Sequence, residues 1–387
     1  MASLGDVVAA MQQWYAPAWA EPWDAVGLVC GDPAEPVSRV LLAVDPVPAT
    51  VDEAISRGAQ LLITHHPLLL SGVHGVPATD PKGALVHRMI RGGVAHFVAH
   101  TNADAADPGV SDALAGVLGL CDLRPLEPQT DASLDKLVVF VPVGDAEKVI
   151  DALAAAGAGA LGDYDRCAWS AQGVGTFRPL PGADPAIGSI GAIERVDEAR
   201  VEMVVPPARR AAVIAALRAV HPYEEPAFDL LAGVPLTTTR GIGRLGDLAA
   251  PMTLREFTVH AAAALPATVW GVRAAGDPER MIRTVAVCGG SGGSLAETAR
   301  RAGADVLLTA DLKHHSSLEA TAERPDDGIA LVDAAHWATE APWLDVVAAR
   351  LAERFTASVD VQVSRIVTDP WSLHAPSTST PEGSRHP

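Results

Sequence analysis

Aromatic residues are scarce in this 387-residue chain, where phenylalanine, tryptophan and tyrosine together make up 4%. Aliphatic side chains and alanine therefore carry most of the 49% apolar fraction, which is ordinary for a globular protein. Cysteine is rarer still. Cys30, Cys121, Cys167 and Cys288 lie far apart with no paired spacing, which argues against a disulfide framework or a zinc ribbon. Basic residues are outnumbered, 29 against 47 acidic ones, for a net charge of −18. Such a balance argues against a general nucleic-acid binder or an acidic-membrane binder, because it supplies no phosphate-neutralising surface. No apolar run is long enough to span a bilayer, and Met1-Ala2-Ser3-Leu4-Gly5-Asp6 lacks a basic region followed by an apolar core. A cytoplasmic protein without membrane partners is expected. The length accommodates two or three domains with sizeable cores.

What is present centres on Leu61-Leu62-Ile63-Thr64-His65-His66-Pro67. A β-prone apolar run leads into two adjacent histidines, and a proline stops the strand just after them. Burying two neighbouring imidazoles is costly unless something satisfies their nitrogens, and a divalent metal does so. Loop histidines bonded to backbone are the alternative; metal is preferred here. Around this run the chain alternates strand and helix. Arg39–Val44 reads as a strand ending at Asp45, then come a helix from about Ala49 to Arg57, a helix from Lys82 to Arg91, and a strand over Val94–Ala99. Ser3 and Asp6 frame the start of an opening amphipathic helix. The rhythm predicts an α/β fold with a largely parallel sheet covered by helices. The second strand delivers His100-Thr101-Asn102-Ala103-Asp104 to the same sheet edge as His65 and His66, so these residues can converge. Asp104 reads equally well as a helix cap.

After about Gln129 the character changes. A strand at Leu137–Val141, a helix at Asp145–Ala156, a strand at Arg200–Val205 and a helix at Pro207–Val220 suggest a β-α-β…β-α-β order, as in a small ferredoxin-like module. Residues 130–236 are therefore read as an inserted domain between two core lobes, 1–129 and 237–370. Within the insert, His221 with Glu224 and Glu225 offers a second metal site, although a capping or turn role is preferred. Past the insert, Met281–Val287 runs into Cys288-Gly289-Gly290-Ser291-Gly292-Gly293-Ser294. Glycines between a strand and a helix start can hold an anion, or make a plain tight connection. Two further strands deliver Asp311-Leu312-Lys313-His314-His315 and then Asp333-Ala334-Ala335-His336, with Glu340 four residues on. His336 and Glu340 share one helix face and can grip one metal centre. From 371 to 387 the chain is rich in Ser, Thr and Pro, and is expected to be disordered.

Together these residues resemble the NIF3-like family, also called GTP cyclohydrolase I type 2 homologues. The matching pieces are Trp23-Asp24 with Gly27-Leu28, Thr64-His65-His66-Pro67, His100–Asp104, Thr309-Ala310-Asp311 with His315, and His336 with Glu340. In the insert they are Gly159–Asp165, Gly173-Val174-Gly175-Thr176-Phe177-Arg178-Pro179 and His221–Glu225. The resemblance implies a two-lobed core, an insert similar to PII/CutA-type modules, a dinuclear metal centre and a ring-shaped homo-hexamer. Carried over by position, it implies that His65 and Asp104 hold one divalent ion and His66 and His336 the other, with Glu340 bridging. It places His100 and His315 as catalytic groups behind the ligands or facing substrate. One departure is Ala335, where the family has glycine; its methyl is expected to narrow the pocket.

Mixed imidazole and carboxylate ligands suit zinc, iron(II), manganese or cobalt. The function expected is a metal-dependent hydrolase that acts on a nucleotide or related small molecule through a metal-activated water. The competing expectation is a non-catalytic regulatory or metal-handling protein that presents its insert to partners.

Overall fold

Runs of aliphatic residues build the central strands, and both faces of those strands are covered. In Arg39–Ala43, Val40 and Leu42 pack into one core while Leu41 and Ala43 pack into another. Leu61–Thr64 repeats this, with Leu61 and Ile63 on one side and Leu62 on the other. A period of two with no polar side marks a strand between helix layers. The structure, a computed structural model, describes residues 2–131, 133–322 and 328–375. One unit is formed by residues 1–129 with 239–387, and a second by residues 130–238.

The first unit holds two large sheets. One orders its strands Asp360–Val363, Arg39–Ala43, Leu61–Thr64, Ala95–Val98 and Gly27–Cys30. The first four run parallel and the last is antiparallel. Helices Pro48–Ser56 and Pro81–Arg91 cover one face, and Leu4–Trp14 and His336–Phe355 cover the other. Ser3 and Asp6 close a reciprocal cap at the start of Leu4–Trp14.

The other sheet orders its strands Val272–Ala275, Ala330–Ala334, Val306–Ala310, Met281–Val287, Leu236–Thr253 and Leu120–Asp131. Met281–Val287, Val306–Ala310 and Ala330–Ala334 are mutually parallel, whereas Val272–Ala275 and Leu236–Thr253 pair antiparallel with their neighbours. Mostly parallel sheets were expected, and this one is mixed. Apolar alternation marks a strand without stating the direction of its partner. Helix Val110–Val117 joins the two halves of the core, with Val110 and Ala113 in the first sheet's core and Leu114 and Ala115 in the second's.

The second unit runs Asp135–Pro142, helix Ala146–Ala155, Ala168–Phe177, Glu194–Val205, helix Arg210–Val220 and Phe228–Leu231. Its strands lie in the order Phe228–Leu231, Asp135–Pro142, Glu194–Val205, Ala168–Phe177, all pairings antiparallel. Val149, Leu153, Val213 and Leu217 from the helices pack on Leu137, Val139 and Val201 of the sheet. Among the described residues no helix is long and apolar enough to cross a membrane. Residues 371–375 carry no regular secondary structure, and the rest of the tail expected to be disordered lies outside the described residues.

Candidate metal centre

Parallel strands deliver their C-terminal ends to one edge, and that rule gathers the site. Leu61–Thr64 ends at His65 and His66, whose backbone N–H groups donate to Ala43 and Val44 at 3.3 and 2.9 Å. The ladder thus continues through the pair and fixes both. Ala95–Val98 leads past Ala99 to His100, and the short helix Thr101–Ala105 carries Asp104. Ala330–Ala334 leads past Ala335 to helix His336–Phe355, with Glu340 one turn along it. Ala335 sits at φ −64° and ψ 137°, open to any L-residue, so the methyl that replaces glycine strains nothing. It is buried in the core.

Glu340, 3% exposed, is the middle of the cluster. Its Oε1 lies 2.9 Å from His336 Nε2 and 3.4 Å from His65 Nε2, and its Oε2 lies 3.1 Å from His66 Nε2. Asp104 Oδ1 is 3.7 Å from His65 Nε2. The ligand atoms of His65, His66 and His100 lie within 4.8 Å of one another, as do those of His66, His336 and Glu340. Five residues singled out as ligands therefore come together, and His100 stands among them.

The far side of each ring is tied down. Nδ1 of His65 donates to the Ala99 carbonyl at 3.0 Å, His66 to Asp45 at 2.7 Å, His100 to Asp24 at 2.8 Å and His336 to Asp311 at 2.6 Å. These acceptors assign the proton of the neutral ring to Nδ1, which turns the Nε2 lone pair inward, as metal-binding histidines require. Asp24 is itself held by the Thr101 backbone N–H at 3.0 Å and by its hydroxyl. Burial raises its pKa, yet the bonds from His100 and Thr101 win and hold it below the usual range. Sequence reasoning assigned no role to Asp24, Asp45 or Asp311. A signal existed for two of them, since Asp45 and Asp311 follow strands that end at the same edge.

Charge coupling is strong here. Burial opposes a proton on His66, but Glu340 and then Asp45 outweigh it and lift the ring to about 11. Burial likewise opposes a charge on His336, and Glu340 with Asp311 lifts it to about 9. Glu340 is held well below the carboxylate range, because His66 and His65 overcome the cost of burying it. Burial pushes Asp104 upward.

The residues fit a divalent ion. Among the described residues, His65 Nε2 and Glu340 Oε2 are buried without a hydrogen-bond partner, and both belong to the cluster. An unpaired buried polar atom costs about 1–3 kcal/mol, which a shared cation offsets. The donor set of imidazoles and carboxylates suits borderline metals. Gly290, at φ +66°, leaves the necessary room: a Cβ there would meet Glu340 Oε1 at 2.5 Å and His336 Nε2 at 3.0 Å.

Other candidates fall elsewhere. His315 is exposed on helix His314–Ala322, its ring 5.2 Å from that of His314, and it belongs to neither ligand group. In the glycine loop the N–H groups of Gly289, Gly290 and Gly292 donate to the hydroxyls of Ser111, Thr339 and Thr309, so these three serve the tight connection. His221 is no metal ligand either. Its Nε2 donates to the Phe140 carbonyl and its Nδ1 accepts from the Tyr223 N–H, so both nitrogens are spent. Beside the cluster lies a cavity of about 410 Å³ lined by His66, His336, Asp45, Trp270, Arg273 and Trp371. The rings of Trp270 and Trp371 are 5.8 Å apart, and the Arg273 guanidinium lies 4.6 Å from the centre of the Trp270 ring.

The family model for Duf34/NIF3 (NGG1p interacting factor 3) matches residues 2–370. The chain is 51% identical over 375 residues to a Mycobacterium leprae protein named GTP cyclohydrolase 1 type 2 homolog, with 97% of this chain and 96% of the relative covered. A Mycobacterium tuberculosis protein of the same name is 52% identical over 371 residues, with coverage of 96% and 97%. A Staphylococcus aureus crystal structure superposes with a TM-score of 0.73 at 28% identity, covering 96% of this chain and 99% of that one. Matched along nearly its whole length, the chain belongs to the Duf34/NIF3 family.

Proposed function

We propose that the protein is a divalent-metal-dependent hydrolase of nucleotides or related small molecules. The observation that carries this reading is the ring of inward-facing Nε2 atoms around Glu340, with two buried atoms unpaired, beside an open cavity. His65 with Asp104 would hold one ion and His66 with His336 another, with Glu340 shared between them. Zinc, iron(II), manganese and cobalt all suit this set. Bound divalent ions supply an acidified water and positive charge against the negative charge that builds up during hydrolysis. The chain's own residues do the rest. Asp45, Asp24 and Asp311 keep the imidazole protons outward, and Trp270 and Trp371 offer aromatic faces to a flat ring. Arg273 provides a positive charge on a cavity wall where Asp45, Asp311 and Asp333 are negative, so phosphate binding would lean on the ions. Turnover of a nucleotide panel by metal-loaded protein tests the reading; it is expected to disappear in His66→Ala and Glu340→Ala. Loss in neither variant, or no turnover at all, would count against it.

A regulatory role is the second reading. It is favoured by the β-α-β-β-α-β order of the second unit, which is that of a ferredoxin-like, PII/CutA-type module. A ring-shaped homo-hexamer goes with either reading.

A further inference from the structure

Two motifs in the second unit play no part in the metal centre: Gly173–Pro179 and His221–Glu225. The fold brings them together around a cavity of about 310 Å³. That volume sits at the small end of ligand pockets, about 300–1,000 Å³. Its walls are aromatic, from Phe140, Phe177 and Tyr223, and the rings of Phe177 and Tyr223 lie 5.6 Å apart at 59°.

The pocket is held in shape by a chain of contacts. His221 Nε2 donates to the Phe140 carbonyl at 2.9 Å, and its Nδ1 accepts the Tyr223 N–H at 3.0 Å. The Tyr223 hydroxyl then donates to Glu198 Oε1 at 2.9 Å, and among the described residues no hydrogen bond reaches Glu198 Oε2. Glu198 reaches this position across the neighbouring strand at Gly175, where a Cβ would come within 2.1 Å of Oε2. Glycine weakens a strand interior, and close approach by another group is the usual reason for it. Here the approaching group is a carboxylate that lines a cavity.

Glu224 and Glu225 line it as well. Among the described residues none of the three glutamates has a lysine, arginine or histidine within ion-pair distance. Arg178 is also in the lining, so three carboxylates face one guanidinium. Glu224 Oε2 already accepts the Asp184 N–H at 3.1 Å, but a neutral or anionic occupant would strip water from Glu198 and Glu225 and supply no charge in return. A cation with an apolar body would pair with them and stack on the rings.

We propose that this cavity is a second ligand site, taking a small organic cation with a primary ammonium or guanidinium group on a short apolar body. The charged head sits against Glu198 and the body lies between Phe177 and Tyr223. The site is independent of the metal centre and of the hydrolase reading. Calorimetric titration of the intact protein with agmatine and with putrescine tests it, using 1-butanol, butyrate and calcium as controls. Saturable uptake of an amine is expected, weakened at least tenfold in Glu198→Gln and in Phe177→Ala, with metal content at the other site unchanged. Glu225→Gln, at an exposed position, keeps the test open should the half-buried variants misfold, and a severalfold loss is expected there. No saturable uptake of either amine would overturn the proposal. So would butyrate, 1-butanol or calcium binding as well as the amines, or amine uptake indifferent to both glutamate variants.

Discussion

Thr64 has one hydroxyl proton and two close partners. The hydroxyl donates to the His66 carbonyl at 2.8 Å, so it must accept from His96 Nε2, also at 2.8 Å. His96 Nδ1 is then a buried lone pair without a partner. Burial lowers this histidine from 6.5 to about 4. Unfolded chains therefore take up this proton below about 6.5, while the folded chain refuses it until about 4. Stability drains away as pH falls through that window and stops falling on this account below it, an effect on the order of 3 kcal/mol. Calorimetric melts should show His96→Gln losing melting temperature less steeply than the parent across that range. A second residue-level expectation concerns the outer acceptors. Asp45→Asn and Asp311→Asn remove the carboxylates that orient His66 and His336, and metal affinity should fall about 10- to 100-fold by chelator competition. The histidines were legible because two imidazoles at the end of an apolar strand need a reason. The aspartates behind them were harder to read, because an Asp after a strand, as Asp45 and Asp311 are, serves equally as a cap or a turn, and Asp24 follows no strand at all.

At the scale of elements, helix His336–Phe355 ties the site to the core. It presents His336 and Glu340 at its start and buries Trp343 completely against Tyr15 and His65. The Trp343 indole N–H donates to the Tyr15 hydroxyl at 3.2 Å, and its ring lies 5.4 Å from that of His65. Trp343→Ala should cost about 3–5 kcal/mol in denaturant unfolding. It should also weaken metal retention, since His65 loses the wall it leans on, while Trp343→Phe should keep most of both. Met281–Val287 was visible in the sequence at its observed bounds, although Arg283 and Thr284 interrupt its aliphatic residues. Leu120–Asp131 was not, because Pro125 and Pro128 argue against a strand. It lies at the edge of its sheet, where a missing N–H costs little. Ala168–Phe177 was hidden similarly by Gly173 and Gly175, whose lack of side chains reads as a loop; at Gly175 the space is filled by Glu198.

On the scale of the whole molecule, the net charge of −18 opposes self-association at low ionic strength. The homo-hexamer proposed above should give a light-scattering mass of six copies of the 40.1 kDa chain, and more completely as salt is raised. A monomeric mass at every salt concentration would end that proposal. The interrupted path of the first unit has a further consequence, in the time domain. His66 leaves the ribosome about 270 residues ahead of His336, and synthesis adds about 5–20 residues each second. For roughly 15 to 50 s the nascent chain displays two histidines with no Glu340 to face them. The second unit, with its core between Leu137 and Leu230, emerges whole during that wait. Strand Asp360–Val363, the outer edge of the first sheet, comes later still. Translation thus makes the metal centre one of the last parts to be finished, and a chain stalled just before His336 carries a complete insert but only half a site.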